Sequence, residues 1–170
     1  GCSPVRFWVH NGFVNVDKEK MSKSLGNFFT LRDIYKKFHP EALRLFLISS
    51  HYRSPIDFSV KNLEDAEKVI LRFYEALNNA GSIVGDYSVS LEEIKNHSFL
   101  AKCEKAMNDD FNTAVVVAHL NEESRGINAE CGRIDSGEGD KKNLAVRLAA
   151  FKFVGELLGL LTSSLEKIRQ

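Results

Sequence analysis

The sequence predicts a mainly α chain, in which one short strand and its loop lead into an antiparallel helical bundle. Two observations carry that prediction. Leu63, Ala66, Ile70, Phe73 and Leu77 recur in alternating steps of three and four, the period of a helix that buries one face. Residues that open helices also stand ahead of the apolar runs: Thr30 with Asp33, Ser59, and Ser90 with Glu93.

Taken in order, Pro4 to His10 is a short apolar stretch closed by Asn11-Gly12 as a turn or helix C-cap. Phe13-Val14-Asn15-Val16 alternates and is rich in β-branched residues, which predicts the strand. Asp17 to Asn27 is a charged loop, after which Phe28 and Phe29 re-enter the core. Thr30 caps a helix through Phe38, and Pro40 sits in the first turn of the next, with Leu43, Phe46 and Leu47 inward. Ser54-Pro55 interrupts that helix, Ser59 caps a longer one, and Asn78 to Ser88 is a polar loop.

Ser90 and Glu93 form a capping box for a helix reaching about Met107. Asn112 or Thr113 caps another, carrying Val116, Val117 and Leu120. Cys131 to Asp140, with Gly132, Gly137 and Gly139, reads as the most flexible linker. The last helix follows Asp140 and holds Leu144, Leu148, Phe151, Leu158 and Leu161. The expected total is one strand and about six helices.

Hydrophobic residues form 44% and charged residues 27% of the 170, which suits a packed core rather than a disordered chain. Lys+Arg and Asp+Glu both number 23, so contact with nucleic acid has to come from a local basic face. Cys2, Cys103 and Cys131 are far apart, with no C-x-x-C pair. That argues against a disulfide framework or zinc knuckle and for a reducing, cytoplasmic compartment. No apolar run approaches the ~20 residues that span a bilayer, and Phe7-Trp8-Val9 is too short for a signal peptide.

The run Lys20-Met21-Ser22-Lys23-Ser24-Leu25-Gly26-Asn27 is the informative one. Two lysines three apart, among small hydroxyl residues and before a glycine, can bring two ammonium groups onto a polyphosphate. Ser22, Ser24 and backbone N–H groups add donors. If α-phosphate is attacked and pyrophosphate leaves, cations aimed at the leaving group stabilise the transition state more than the ground state. A lone K-x-x-K would read as a solvated basic loop; the full five-residue run after a strand does not.

Lys20 to Ser24 is identical to the K-M-S-K-S motif of class I aminoacyl-tRNA synthetases. Its flanks resemble the cysteinyl-tRNA synthetase family in particular: Trp8-Val9-His10-Asn11-Gly12, Asn27 to Asp33, His51 to Ser59, and Met107-Asn108-Asp109-Asp110-Phe111-Asn112-Thr113. Pro40-Glu41-Ala42-Leu43-Arg44 resembles the opening of the family's D-A-L-R helical region. Ala114 and Asn108 depart mildly from the family pattern, which has proline and aspartate there.

The resemblance implies activation of cysteine by ATP, with Mg2+ accompanying the nucleotide, and transfer of cysteine to its tRNA by a monomer. Lys23 matches the family's ATP-binding lysine, Lys20 the supporting cation, and Met21, Ser22 and Ser24 complete the ATP loop. It also implies zinc in a longer parent enzyme. Neither the H-x-G-H nucleotide motif nor a matching zinc ligand set is seen here, so this chain is expected to be a slice that is inactive alone. Residues 1–29 are then the edge of a nucleotide-binding α/β catalytic domain, residues 30–59 connecting helices, and residues 60–170 a tRNA-binding bundle with a flexible linker at 132–140.

Other residues read more plainly. The five histidines read as ordinary surface or core residues, Trp8 as core, and Asp109 and Asp110 as charges favouring a helix N-terminus. Lys61, Lys68 and Arg72 share one helical face, and with Arg53 they are the candidate tRNA contacts. Two alternatives stay open on the sequence: a cysteine-activating ligase acting on an amino-sugar, and a non-catalytic helical tRNA-binding module.

Overall fold

The computed structural model describes residues 4–16, 19–21 and 30–168. Three short strands make one small sheet: β1 (Val14–Val16), β2 (Glu19–Lys20) and β3 (Ile56–Phe58), in the order β2-β1-β3. Strand β1 runs antiparallel to β2, with Asn15 opposite Lys20, and parallel to β3, with Val14 opposite Ile56. The helices are α1 (Leu31–Ile34), α2 (Pro40–Ile48), α3 (Val60–Val84), α4 (Leu91–Lys95), α5 (Ser98–Asn108), α6 (Thr113–Asp135), α7 (Lys141–Leu157) and α8 (Leu165–Ile168). The chain is mainly α, as its periodicity predicts.

Most helix starts obey their local chemistry. The side chains of Thr30, Ser59, Ser90, Asn112 and Asp140 accept from backbone N–H groups at their helix starts, which satisfies donors the helix leaves unpaired. The long helix α3 is the axis of the fold and packs against α2, α6, α7 and α8. Its Ile70, Phe73, Ala76 and Ala80 are buried with Leu120, Ile127, Leu144 and Phe151. Phe73 meets Phe151 edge-on at 5.4 Å between ring centroids, a favoured aromatic geometry. A second, smaller core of Val16, Leu43, Phe58 and Leu63 joins the sheet to α2 and α3.

Several expectations are corrected. Ile56–Phe58 is a strand, because its backbone finds a parallel partner in β1 that only the folded chain supplies. In α2 the buried residues include Ala42 and Leu45, whereas Leu47 is 40% exposed. Helix α3 continues through Asn78 and Asn79, which face solvent while Ala80 and Val84 extend its buried seam. The helix expected from Ser90 breaks at Asn96 and His97 into α4 and α5. Trp8 is 75% exposed and not core.

The linker expected at 132–140 shrinks, since α6 runs through Gly132 to Asp135. The remaining turn is bonded closed: Glu138 and Gly139 N–H donate to the Arg133 carbonyl, and Asp140 N–H to the buried Glu130 carboxylate. Residues 30–168 include no helix long and apolar enough to cross a membrane.

On the α4 start, Glu93 accepts from Ser90 and also pairs with Lys142 of α7 at 2.9 Å. The Ser90 backbone N–H, then Lys142, pull its carboxyl from 4.5 down to about 2. A depressed carboxyl contributes stability that is complete above its unfolded pKa and is lost as pH falls toward the folded one. Glu93→Gln is therefore expected to lower the thermal midpoint at pH 7. Thermal melts at successive pH values should show that gap close between pH 4.5 and about 2.

Candidate functional site

The start of the lysine run is tied to the sheet. Lys20 is in β2, opposite Asn15 of β1, and Met21 N–H donates to the Val14 carbonyl at 3.4 Å. The Met21 side chain packs on the smaller core of Val16, Leu43, Phe58 and Leu63. The run thus departs from a point fixed between the sheet and the first helices. Ser22, Lys23 and Ser24 lie outside the described residues.

Strand β1 is itself pinned to the 52–56 segment. Gly12 N–H donates to the Tyr52 carbonyl at 2.7 Å, and Ile56 N–H to the Phe13 carbonyl at 2.8 Å. A Cβ at Gly12 would stand 2.2 Å from the Ser54 oxygen and 2.8 Å from Pro55 N. Backbone on both sides cannot yield, so glycine is required by close approach. Gly12→Ala should cost roughly 3 kcal/mol, read as a shift of the urea midpoint.

A polar cluster faces that segment from the turn between α5 and α6. The Asp110 carboxylate accepts from Tyr52 Oη at 2.7 Å and pairs with Arg53 Nε at 2.8 Å. His51 Nε2 is 3.8 Å away, and its ring stacks on Tyr52 at 4.9 Å. The Tyr52 and Arg53 hydrogen bonds hold the Asp110 carboxyl below its ordinary value; the same bond to Asp110 raises the Tyr52 phenol. Asp110 thus answers Arg53 rather than a helix N-terminus, the capping of α6 being done by Asn112.

A second polar clamp is buried. Glu41 is 5% exposed. Its carboxylate accepts from Tyr74 Oη, Leu161 N, Thr162 N and Thr162 Oγ1 at 2.8 to 3.0 Å. Tyr74 in turn accepts from Ser163 N at 2.8 Å, and burial, with Glu41 beside it, pushes its phenol well up. Arg44 donates through Nε to the Leu158 carbonyl. The E-A-L-R residues therefore clamp the turn after α7.

The remaining candidates lie apart from these clusters in role. Lys61, Lys68 and Arg72 are exposed on α3, and Lys68 pairs with Asp65 at 2.9 Å. Among the described residues, no three His, Cys, Asp or Glu converge as a metal site. Sequence reading passed over Asp110, Gly12 and Glu41 as site-builders. Gly12 and Glu41 stand in family-like runs, but their partners lie far along the chain.

Residues 1–68 match the family model described as the tRNA synthetases class I (C) catalytic domain, and residues 102–162 match the DALR domain. The E-A-L-R run falls inside the first match, and the second begins at Lys102. A cysteine--tRNA ligase of Syntrophotalea carbinolica is 47% identical over 144 residues, 82% of this chain and 28% of the relative. That of Pelobacter propionicus is 39% identical over the whole chain and 38% of its own length. That of Acinetobacter baylyi is 39% identical over 96% of the chain and 33% of its length. The chain thus spans about a third of the length of these relatives. With Lys20 on the edge strand β2, its two family matches and these relatives, the chain belongs to the cysteinyl-tRNA synthetase family of class I.

Proposed function

We propose that the full-length protein containing this chain activates cysteine with ATP and passes it to tRNA, the chain alone being inactive. A carboxylate oxygen of cysteine attacks the α-phosphorus, the bond to the bridging oxygen breaks, and pyrophosphate departs; Mg2+ bound with the nucleotide would screen its charge. Lys23 and Lys20 neutralise the charge that grows on the leaving group, while Met21, Ser22 and Ser24 complete the ATP loop. A hydroxyl of the tRNA's terminal adenosine then attacks the acyl carbon and releases AMP. The observation that carries this reading is the anchored start of the K-M-S-K-S run. Met21 packs against the smaller core and Lys20 beside it belongs to β2, which fixes the start of the run, and a cation pair acts best from a fixed base.

This reading takes residues 1–29 as catalytic-domain edge, 30–59 as connecting helices, and 60–170 as the tRNA-side bundle. Phe7, Trp8, Val9 and Phe13 are 62 to 83% exposed, an apolar run that suits packing on more protein; we take the cover to be further catalytic domain. Arg53, Lys61, Lys68 and Arg72 are the proposed tRNA contacts. The Lys68–Asp65 pair is a surface one, weak enough for a phosphate to displace. The described residues do not fit a zinc site.

The test is isotope exchange between pyrophosphate and ATP by the full-length protein that contains this chain. Exchange that requires cysteine, followed by charging of tRNA with cysteine, supports the reading. Exchange indifferent to cysteine, or none at all, overturns it.

A further inference from the structure

We infer that Asp110 is a positioning residue, tying the helical half of the chain to the strand pair from which the lysine run departs. The proposed ATP chemistry gives this link its consequence; the link itself rests on geometry.

The turn that carries Asp110 is unusual. Asp110 and Phe111 have φ of 55° and 53°, a left-handed conformation that side chains other than glycine adopt at a cost and that persists where surroundings enforce it. Here Phe111 N–H donates to the Met107 carbonyl and Asn112 N–H to that of Ala106, both at 3.1 Å. The result aims a carboxylate at a segment 57 to 58 residues away in sequence. Arg53 and Tyr52 approach it from one side, and Arg53 Nε also lies 2.9 Å from Tyr52 Oη.

From there the path to the lysine run is short and made of backbone bonds. The Tyr52 carbonyl holds Gly12, Phe13 holds Ile56, and β1 carries β2 with Lys20 and Met21. Asp110 belongs to the part matching the DALR domain, and Tyr52 and Arg53 to the part matching the catalytic domain. The Glu41 clamp also crosses between those parts, but it ties α2 to the turn after α7 and makes no bond to β1 or β2. Asp110 and Arg53 are 42% and 65% exposed, so their loss should loosen the strands and spare the helical core.

Amide hydrogen exchange on the chain tests this. In Asp110→Ala, the amides of Gly12, Ile56 and Met21 should exchange about tenfold faster, with Leu120 and Phe151 unchanged. Asp110→Asn keeps an acceptor for Tyr52 and should fall between. Unchanged rates at Gly12 and Met21 would overturn the inference. So would an equal acceleration at Leu120 and Phe151, which would make Asp110 a general stabiliser. In the full-length protein, Asp110→Ala should lower kcat of pyrophosphate exchange several-fold and leave KM for cysteine in place. A wild-type protein without that activity would sink the functional reading, and the amide rates would still decide on Asp110.

Discussion

Glu41→Ala should destabilise the chain by about 4 kcal/mol, a large share of the roughly 5–15 kcal/mol that holds a typical domain. The carboxylate is the shared acceptor for Tyr74 Oη, Leu161 N, Thr162 N and Thr162 Oγ1. Removing it leaves the buried Tyr74 hydroxyl and Leu161 N–H without their acceptor and frees both Thr162 donors. It also releases Leu161, whose φ of 59° is held by the bond from its own N–H to Glu41. Glu41→Gln keeps one acceptor but turns an amide N–H2 toward other donors, and should cost about half as much. Urea unfolding checks both, against Glu156→Ala, which breaks only the exposed 3.7 Å pair with Lys152. A midpoint shift no larger than that of Glu156→Ala would show that Glu41 does not hold the turn.

In the full-length protein, Lys23→Ala should reduce kcat for cysteine-dependent pyrophosphate exchange by about 150-fold, near 3 kcal/mol of transition-state stabilisation. The reason is the timing of charge. Pyrophosphate gains negative charge as the bridging bond breaks, so a cation there gains more in the transition state than with bound ATP. KM for ATP should therefore rise far less than kcat falls. Lys23→Arg should restore only part, since a planar guanidinium follows a moving phosphate less well than a compact ammonium on a flexible stem. Steady-state kinetics of the three forms decide. An effect confined to KM would mean that Lys23 binds ATP uniformly and plays no part in the transition state.

Local chemistry was legible at the level of single turns. The Ser90–Glu93 capping box, the Ser59 cap and the seam from Leu63 to Ile70 and Phe73 all appear as read, because each depends on residues within about four positions of one another. Errors arose where a distant partner decides. Asn78 and Asn79 look like loop residues, yet Ala80 and Val84 meet a core that keeps α3 helical. Asp110 looks like a helix-terminal charge until Arg53 arrives from another segment.

The sequence by itself determined the helical class, most helix starts and the K-M-S-K-S run with its family flanks. It did so because caps, periods and motifs are written in neighbouring residues. The tertiary structure alone decided that Gly12 has no room for a side chain, that Ile56–Phe58 is a strand, and that Glu41 and Asp110 join segments 120 and 58 residues apart. Such contacts form only after the intervening chain has folded and closed the loop, so no local pattern announces them.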